Sequence, residues 1–131
     1  MKPQVFEFEI QVEAQHIDNR NHVNNLVYLD WCVTAAEQHW ERNASEAIKN
    51  AYIWYVLKHE INYKAPAFEG DKLLLKTWVE NNSGVRSERR YQIWKQDKLL
   101  VEAKTLWVLL QANNQRPAAI PEEIRNLFND E

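Results

Sequence analysis

Residues 23 to 40, VNNLVYLDWCVTAAEQHW, run without a glycine or a proline. That continuity predicts a helix, since these two residues are the usual interruptions. Leu26, Val27, Tyr28, Leu29, Trp31, Cys32, Val33, Ala35 and Ala36 cover nearly every side of its first half. A helix apolar all round is a buried helix, so the rest of the chain must supply a wrapper. Residues 5 to 14, VFEFEIQVEA, alternate apolar and polar and read as a half-buried strand. ERNASEAIKN reads as the polar exit of the helix, with room for a short extra turn. From residue 52 onward YIWYVLKHEINYKAP, DKLLLKTWVE, VRSERRYQIWK and LLVEAKTLWVLL are strand-like. Turn signals at Glu69-Gly70-Asp71, Asn82-Ser83-Gly84 and Gln96-Asp97 separate them. A proline-led amphipathic tail, PEEIRNLFND, follows. The expected fold is α+β in two layers: a curved antiparallel sheet of about five strands around one long central helix.

A chain of 131 residues holds one such domain, spanning residues 1–131. Six tryptophans, five tyrosines and four phenylalanines are a large apolar payload for that size. Some of it is expected to be covered by a second copy, giving a dimer at least, or a tetramer. The formal net charge of −3 gives no reason to expect nucleic acid. The single cysteine, Cys32, excludes an internal disulfide and fits a reducing compartment. No apolar stretch approaches the roughly 18 residues that span a bilayer. The start MKPQVFEFEI lacks the apolar core of a signal peptide, so a soluble cytoplasmic protein with no membrane partner is expected. Neither a metal-ligand cluster nor a glycine-rich phosphate loop is present, and no cofactor is expected.

The stretch HIDNRNHVNN before the helix is dense in polar residues. The first N–H groups of a helix lack intrahelical partners and carry positive potential, so this end can polarise a carbonyl oxygen. Asp18 lies a few residues upstream. A carboxylate beside free N–H donors is the minimum equipment for attack on an acyl carbon, the carboxylate acting as base or nucleophile. The bland reading is a cap, which Asp18, Asn19 or Asn21 could each supply.

DNRNHVNNLVYLDW resembles the motif of the hotdog-fold acyl-CoA thioesterases related to 4-hydroxybenzoyl-CoA thioesterase, commonly written D-x-x-G-H-V-N-N-x-x-Y. HVNNLVYLDW is also similar to the H-V-N-N-x-x-Y-x-x-W of acyl-carrier-protein thioesterases. INYKAPAFEGD, GVRSERRYQIWK and QRPAAIPEEIRNLF resemble later family segments in the right order, so the likeness covers essentially the whole chain. The resemblance implies a helix wrapped by a curved sheet, subunits paired into a continuous sheet, and a site at the subunit interface near the helix start. It implies that Asp18 is the catalytic acid, His22 the helix-start histidine, and Asn24 and Asn25 the paired asparagines. The substrate implied is an acyl-CoA or acyl-ACP thioester. The chain departs from the pattern in carrying His16 two residues before the acid, Asn21 in place of glycine, and Val33 where many relatives have glutamate. Asn21 tolerates positive φ better than most residues. The absent glutamate leaves Asp18 as the essential carboxylate.

His22 could orient Asp18, bind the substrate carbonyl, or cap and pack. Asn24 suits loop support or an amide contact to substrate. Tyr28 and Trp31 are more often core or interface aromatics than substrate contacts, and Tyr28 is retained as a substrate-side candidate. His39 and His59 read as structural, Cys32 as a packed thiol, and Asp30 as a satisfied structural carboxylate. Ser87 matches a family position that often faces the substrate channel. Arg86 and Arg90 share one strand face and could meet the phosphates of coenzyme A, while Arg89 points to the other. A solvated face paired with Glu88 and Glu102 competes with that role. Alternative functions are a non-catalytic acyl-thioester-binding module, or a hydratase or dehydratase. The hydratase pattern has its histidine five residues beyond its aspartate, after a proline; His22 follows Asp18 by four without one.

Overall fold

The four strand patterns beyond residue 52 form the four longest strands of the computed structural model, which describes residues 2–130. In chain order the elements are β1 (Lys2–Pro3), β2 (Phe6–Gln11), α1 (Asn25–Asn43), α2 (Glu46–Ala51), β3 (Tyr52–Tyr63), β4 (Lys72–Ser83), β5 (Arg86–Lys95), β6 (Lys98–Gln111), α3 (Glu122–Asn126) and β7 (Asn129–Asp130). A 3-10 turn covers Ala14–His16. Five strands make one antiparallel sheet in the order β2-β4-β5-β6-β3. β2 and β3 thus occupy opposite edges. β1 and β7 form a small separate pair that no periodicity in the sequence announces.

Alternation sets which sheet face meets α1. Leu73, Leu75, Thr77 and Val79 of β4 are buried, as are Ser87, Arg89, Tyr91 and Ile93 of β5. Their sequence neighbours point to the opposite face. α1 lays Tyr28, Trp31, Cys32, Ala35, Ala36 and His39 against that surface. Leu75 is fully enclosed, and burial of such a side chain contributes about 1.5–3 kcal/mol. A second apolar cluster, built on Leu109, Ile120 and Ile124, seals the far end of the helix under α3.

One expectation needs correcting. With 19 residues α1 is an ordinary helix about 28 Å long, and it is not surrounded. Leu26 is 74% exposed, Asp30 is exposed, and Leu29 and Val33 are only half-buried. The sheet covers one side of the helix, and a sheet of this width cannot close around the other. Asp30 is therefore a solvated carboxylate rather than a satisfied structural one. A second surface is also uncovered: among the described residues β3 has no neighbour on its outer side, and Ile53, Tyr55, Leu57 and Tyr63 along it are exposed.

Candidate active site

Residues 17 to 23 fold into a tight loop closed by an antiparallel bridge between Ile17 and Val23. Inside it the Asp18 N–H donates to the His22 carbonyl at 3.0 Å, and the Asn21 N–H donates to the Asp18 carbonyl at 3.1 Å. Asp18 Oδ1 accepts the Arg20 N–H at 2.8 Å, which fixes the carboxylate on its own loop. Asn21 adopts φ +66°, the conformation that the family pattern assigns to glycine. Asparagine is one of the few side chains that visits this region readily.

The loop delivers the chain directly into α1. Val23 N–H donates to the Ala67 carbonyl at 2.9 Å, and Asn24 N–H to the His16 carbonyl at 3.0 Å. Asn24 is the helix cap, its Oδ1 accepting the Leu26 N–H at 2.9 Å. The cap is therefore none of the residues anticipated from the polar run. Val27 N–H turns back to the Asn24 carbonyl. Among the described residues the Asn25 N–H donates to no protein acceptor, leaving one free donor at the helix start. The His22 imidazole Nδ1 lies 3.4 Å from the Val23 carbonyl oxygen and makes no hydrogen bond to the Asp18 carboxylate.

Tyr28 is deeply buried, and its hydroxyl accepts the Ala67 N–H at 3.0 Å. That bond ties the loop after β3 to the helix, and burial raises the phenol above its ordinary range. Tyr63 was not singled out in the sequence, yet its hydroxyl donates to the Asn25 carbonyl at 3.1 Å. The signal was positional: it is the last residue of β3, just before the turn that Tyr28 anchors. Tyr63, Phe68 and Leu26 leave apolar surface exposed around the helix start.

The remaining candidates lie elsewhere. Arg86 and Arg90 are exposed on the sheet face away from α1, and Arg90 pairs with Glu88 at 2.7 Å. Ser87 points the other way and lines a cavity of about 280 Å³ between the sheet and α1. The cavity meets α1 at Ala36 and Trp40, roughly 17 to 23 Å along the axis from Asn25 at 1.5 Å per residue. Within one chain, Asp18 and this cavity therefore flank opposite ends of the helix. His39 and Cys32 are buried as expected, and burial pushes the Cys32 thiol up to about 12. Among the described residues no group of three or more His, Cys, Asp or Glu side chains gathers to hold a metal ion. Nor is any described helix long and apolar enough to cross a membrane.

Comparison with known proteins adds four findings. The family described as the thioesterase-like superfamily matches residues 12–128. The chain is similar to acyl-acyl carrier protein thioesterase ATL3, chloroplastic, of Arabidopsis thaliana, with 28% identity over 127 residues. That alignment covers 93% of this chain and 66% of the relative, so the chain spans slightly less than two thirds of that protein. In fold it is similar to YbaW, a probable thioesterase from Escherichia coli, with a TM-score of 0.84 and 23% identity over 93% of this chain and 95% of that one. It is likewise similar to Slr0204, a 1,4-dihydroxy-2-naphthoyl-CoA thioesterase from Synechocystis, with a TM-score of 0.81 and 23% identity over 94% of each chain.

Proposed function

The chain belongs to the thioesterase-like superfamily, and from that premise we propose that it hydrolyses acyl thioesters, using Asp18 and the start of α1. Water and the thioester give a carboxylic acid and a thiol. The Asp18 carboxylate takes a proton from water as that water attacks the acyl carbon, or attacks the carbon itself to give a mixed anhydride that water then hydrolyses to the acid and free Asp18. The Asn25 N–H holds the developing oxyanion, and collapse of the tetrahedral species expels the thiolate, which takes up a proton. His22 and Asn24 act as positioning residues, the first shaping the loop and the second fixing the helix end. Tyr28 serves the substrate indirectly, by holding the Ala67 loop in place. The observation that carries the reading is the pairing of a loop-fixed carboxylate with a helix start whose first N–H has no protein acceptor among the described residues.

The carrier is coenzyme A or acyl carrier protein, both represented among the named similar proteins. Arg86 and Arg90 are the arginines proposed to meet the carrier's phosphates. Since Arg90 already shares its guanidinium with Glu88, Arg86 carries more of that role. Two copies pair along their β3 edges, which covers the exposed Tyr55 and Leu57 and brings the α1 helices side by side in opposite directions. The acid of one copy then approaches the cavity of its partner. The lone free thiol of Cys32 suits a reducing compartment, so a cytoplasmic location is part of the proposal.

The test is thiol release from acyl-CoA and acyl-ACP over a series of chain lengths. Native protein should release thiol, and Asp18→Asn should be slower by about a hundredfold or more. A folded Asp18→Asn variant with native turnover would overturn the assignment. In single-turnover hydrolysis in oxygen-18 water, label in the Asp18 carboxylate identifies the nucleophile route with water opening the anhydride at the Asp18 carbonyl, whereas the base route puts the label in the released acid.

A further inference from the structure

The buried face of β5 carries a cation that the proposed chemistry does not use. Arg89 is only 5% exposed and forms no ion pair among the described residues. It pairs across the sheet with Val79 on one side and Thr105 on the other, and its side chain runs beneath α1. Nη1 donates to His39 Nδ1 at 3.0 Å and to Thr77 Oγ1 at 3.2 Å. Both acceptors are neutral. His39 is held uncharged because burial, then the neighbouring Arg89 and Arg42, press its pKa down to about 3. Its Nε2–H therefore donates to Gln4 Oε1 at 2.7 Å. Among the described residues Nε and Nη2 of Arg89 make no hydrogen bond to protein atoms, and Arg89 lines the 280 Å³ cavity.

A guanidinium removed from water without an anion is costly, and removing one partner of a buried ion pair has a similar effect. A purely structural bridge between Thr77 and His39 would need only a neutral donor. The unused Nε–Nη2 edge is the one that grips a carboxylate in bidentate fashion. The walls around it are apolar: Trp40, Trp54, Trp107 and Phe128, with Ala36 on the helix side. Burial lowers Arg89 to about 10, so it remains charged at neutral pH. The rim holds Glu37, Glu41 and Lys49, with Lys49 bound to Glu41 at 2.8 Å and to Glu46 at 2.9 Å. These rim charges face solvent or one another and are screened, whereas Arg89 is not.

We infer that this cavity binds an apolar carboxylate, with the hydrocarbon between Trp40, Trp54 and Trp107 and the carboxylate on the free edge of Arg89. Such a ligand has two sources, a free carboxylic acid or a carboxylate at the far end of a substrate's acyl group. The second source rests on the proposed thioesterase function; the binding site itself does not.

Octanoate and its neutral isostere octanamide are titrated into the full protein, followed by tryptophan fluorescence and calorimetry. Octanoate should saturate the protein and bind about tenfold or more tightly than the amide, the difference expected of hydrogen bonds to a charged group. Arg89→Gln should bring octanoate down to the affinity of the amide, while Arg89→Lys retains part of the difference. Equal binding of acid and amide to native protein overturns the inference whatever the variants do. So does a failure of octanoate to saturate, or unchanged octanoate affinity in a folded Arg89→Gln. For the source, hydrolysis of octanoyl-CoA is compared with that of its analogue carrying a terminal carboxylate. A higher kcat/KM for the charged analogue, lost in Arg89→Gln, assigns the site to the acyl group. Inhibition by octanoate with no such preference assigns it to a free acid. Binding of octanoate without hydrolysis of either thioester retains the site and removes the thioesterase reading.

Discussion

Asn21 carries the local conformation on which the position of Asp18 depends. At φ +66° a residue with an ordinary Cβ is strained by about 1–2 kcal/mol, which asparagine partly escapes. Asn21→Gly should therefore leave urea-unfolding stability near native, while Asn21→Ala should cost about 1 kcal/mol and lower turnover by displacing the carboxylate. Equal behaviour of the two variants would show that the loop does not need the left-handed conformation. His39 makes a second residue-level case. Its folded pKa of about 3 lies below its ordinary 6.5, because burial comes first and Arg89 and Arg42 add to it. Across that window the unfolded chain binds a proton that the folded chain refuses. Stability is thus complete above about pH 6.5 and falls with acidity, by about 1.4 kcal/mol per pH unit from this residue. Urea melts from pH 7 to pH 4 should show a shallower decline for His39→Gln than for native protein. The HVNN motif is what singles out Asp18 in the sequence as the proposed acid. The Arg89–His39 pair was not legible there, because its members stand 50 positions apart and only the packing of α1 on the sheet brings them together.

At the scale of elements, the strands could be read because alternation in β4 and β5 maps directly onto buried and exposed faces. β1 and β7 could not, since two-residue strands have no period to detect. The helix was placed within three residues at either end, but its open side was misread. An all-apolar helix tells only that something covers it, not that the cover comes from the same chain. The loop after β3 is the element that frames the helix start, and Ala67 fastens it there through its carbonyl to the Val23 N–H and its N–H to the Tyr28 hydroxyl. Tyr28→Phe removes the acceptor of the Ala67 N–H and leaves that buried donor unpaired, at a cost of about 1–3 kcal/mol. Because the same loop carries Phe68 beside the site, the variant should lose turnover as well as stability. Hydrogen exchange should show faster exchange at Ala67 in Tyr28→Phe than in native protein. Unchanged exchange would mean that the Val23–Ala67 backbone bond holds the loop alone.

For the whole molecule the decisive geometry is the separation between Asp18 and the cavity. The cavity meets α1 at Ala36 and Trp40, roughly 17 to 23 Å along the axis from Asn25 at the helix start that the Asp18 loop leads into, further than one thioester group can bridge. The proposed pairing of two copies along β3 would resolve this, because antiparallel helices bring the start of one next to the end of the other. The exposed residues along β3 and the 74% exposed Leu26 are the surface such pairing would cover. Complementation tests it directly. Asp18→Asn lacks the acid, and Ser87→Phe fills the cavity, so each variant alone should be nearly inactive. Co-refolded, they form mixed dimers in which the Asp18 of one chain faces the open cavity of the other. Random assortment makes half of the dimers mixed, each with one intact site of two, so about a quarter of native activity should return. A site contained within one chain predicts no recovery, because every chain in the mixture then carries its own lesion.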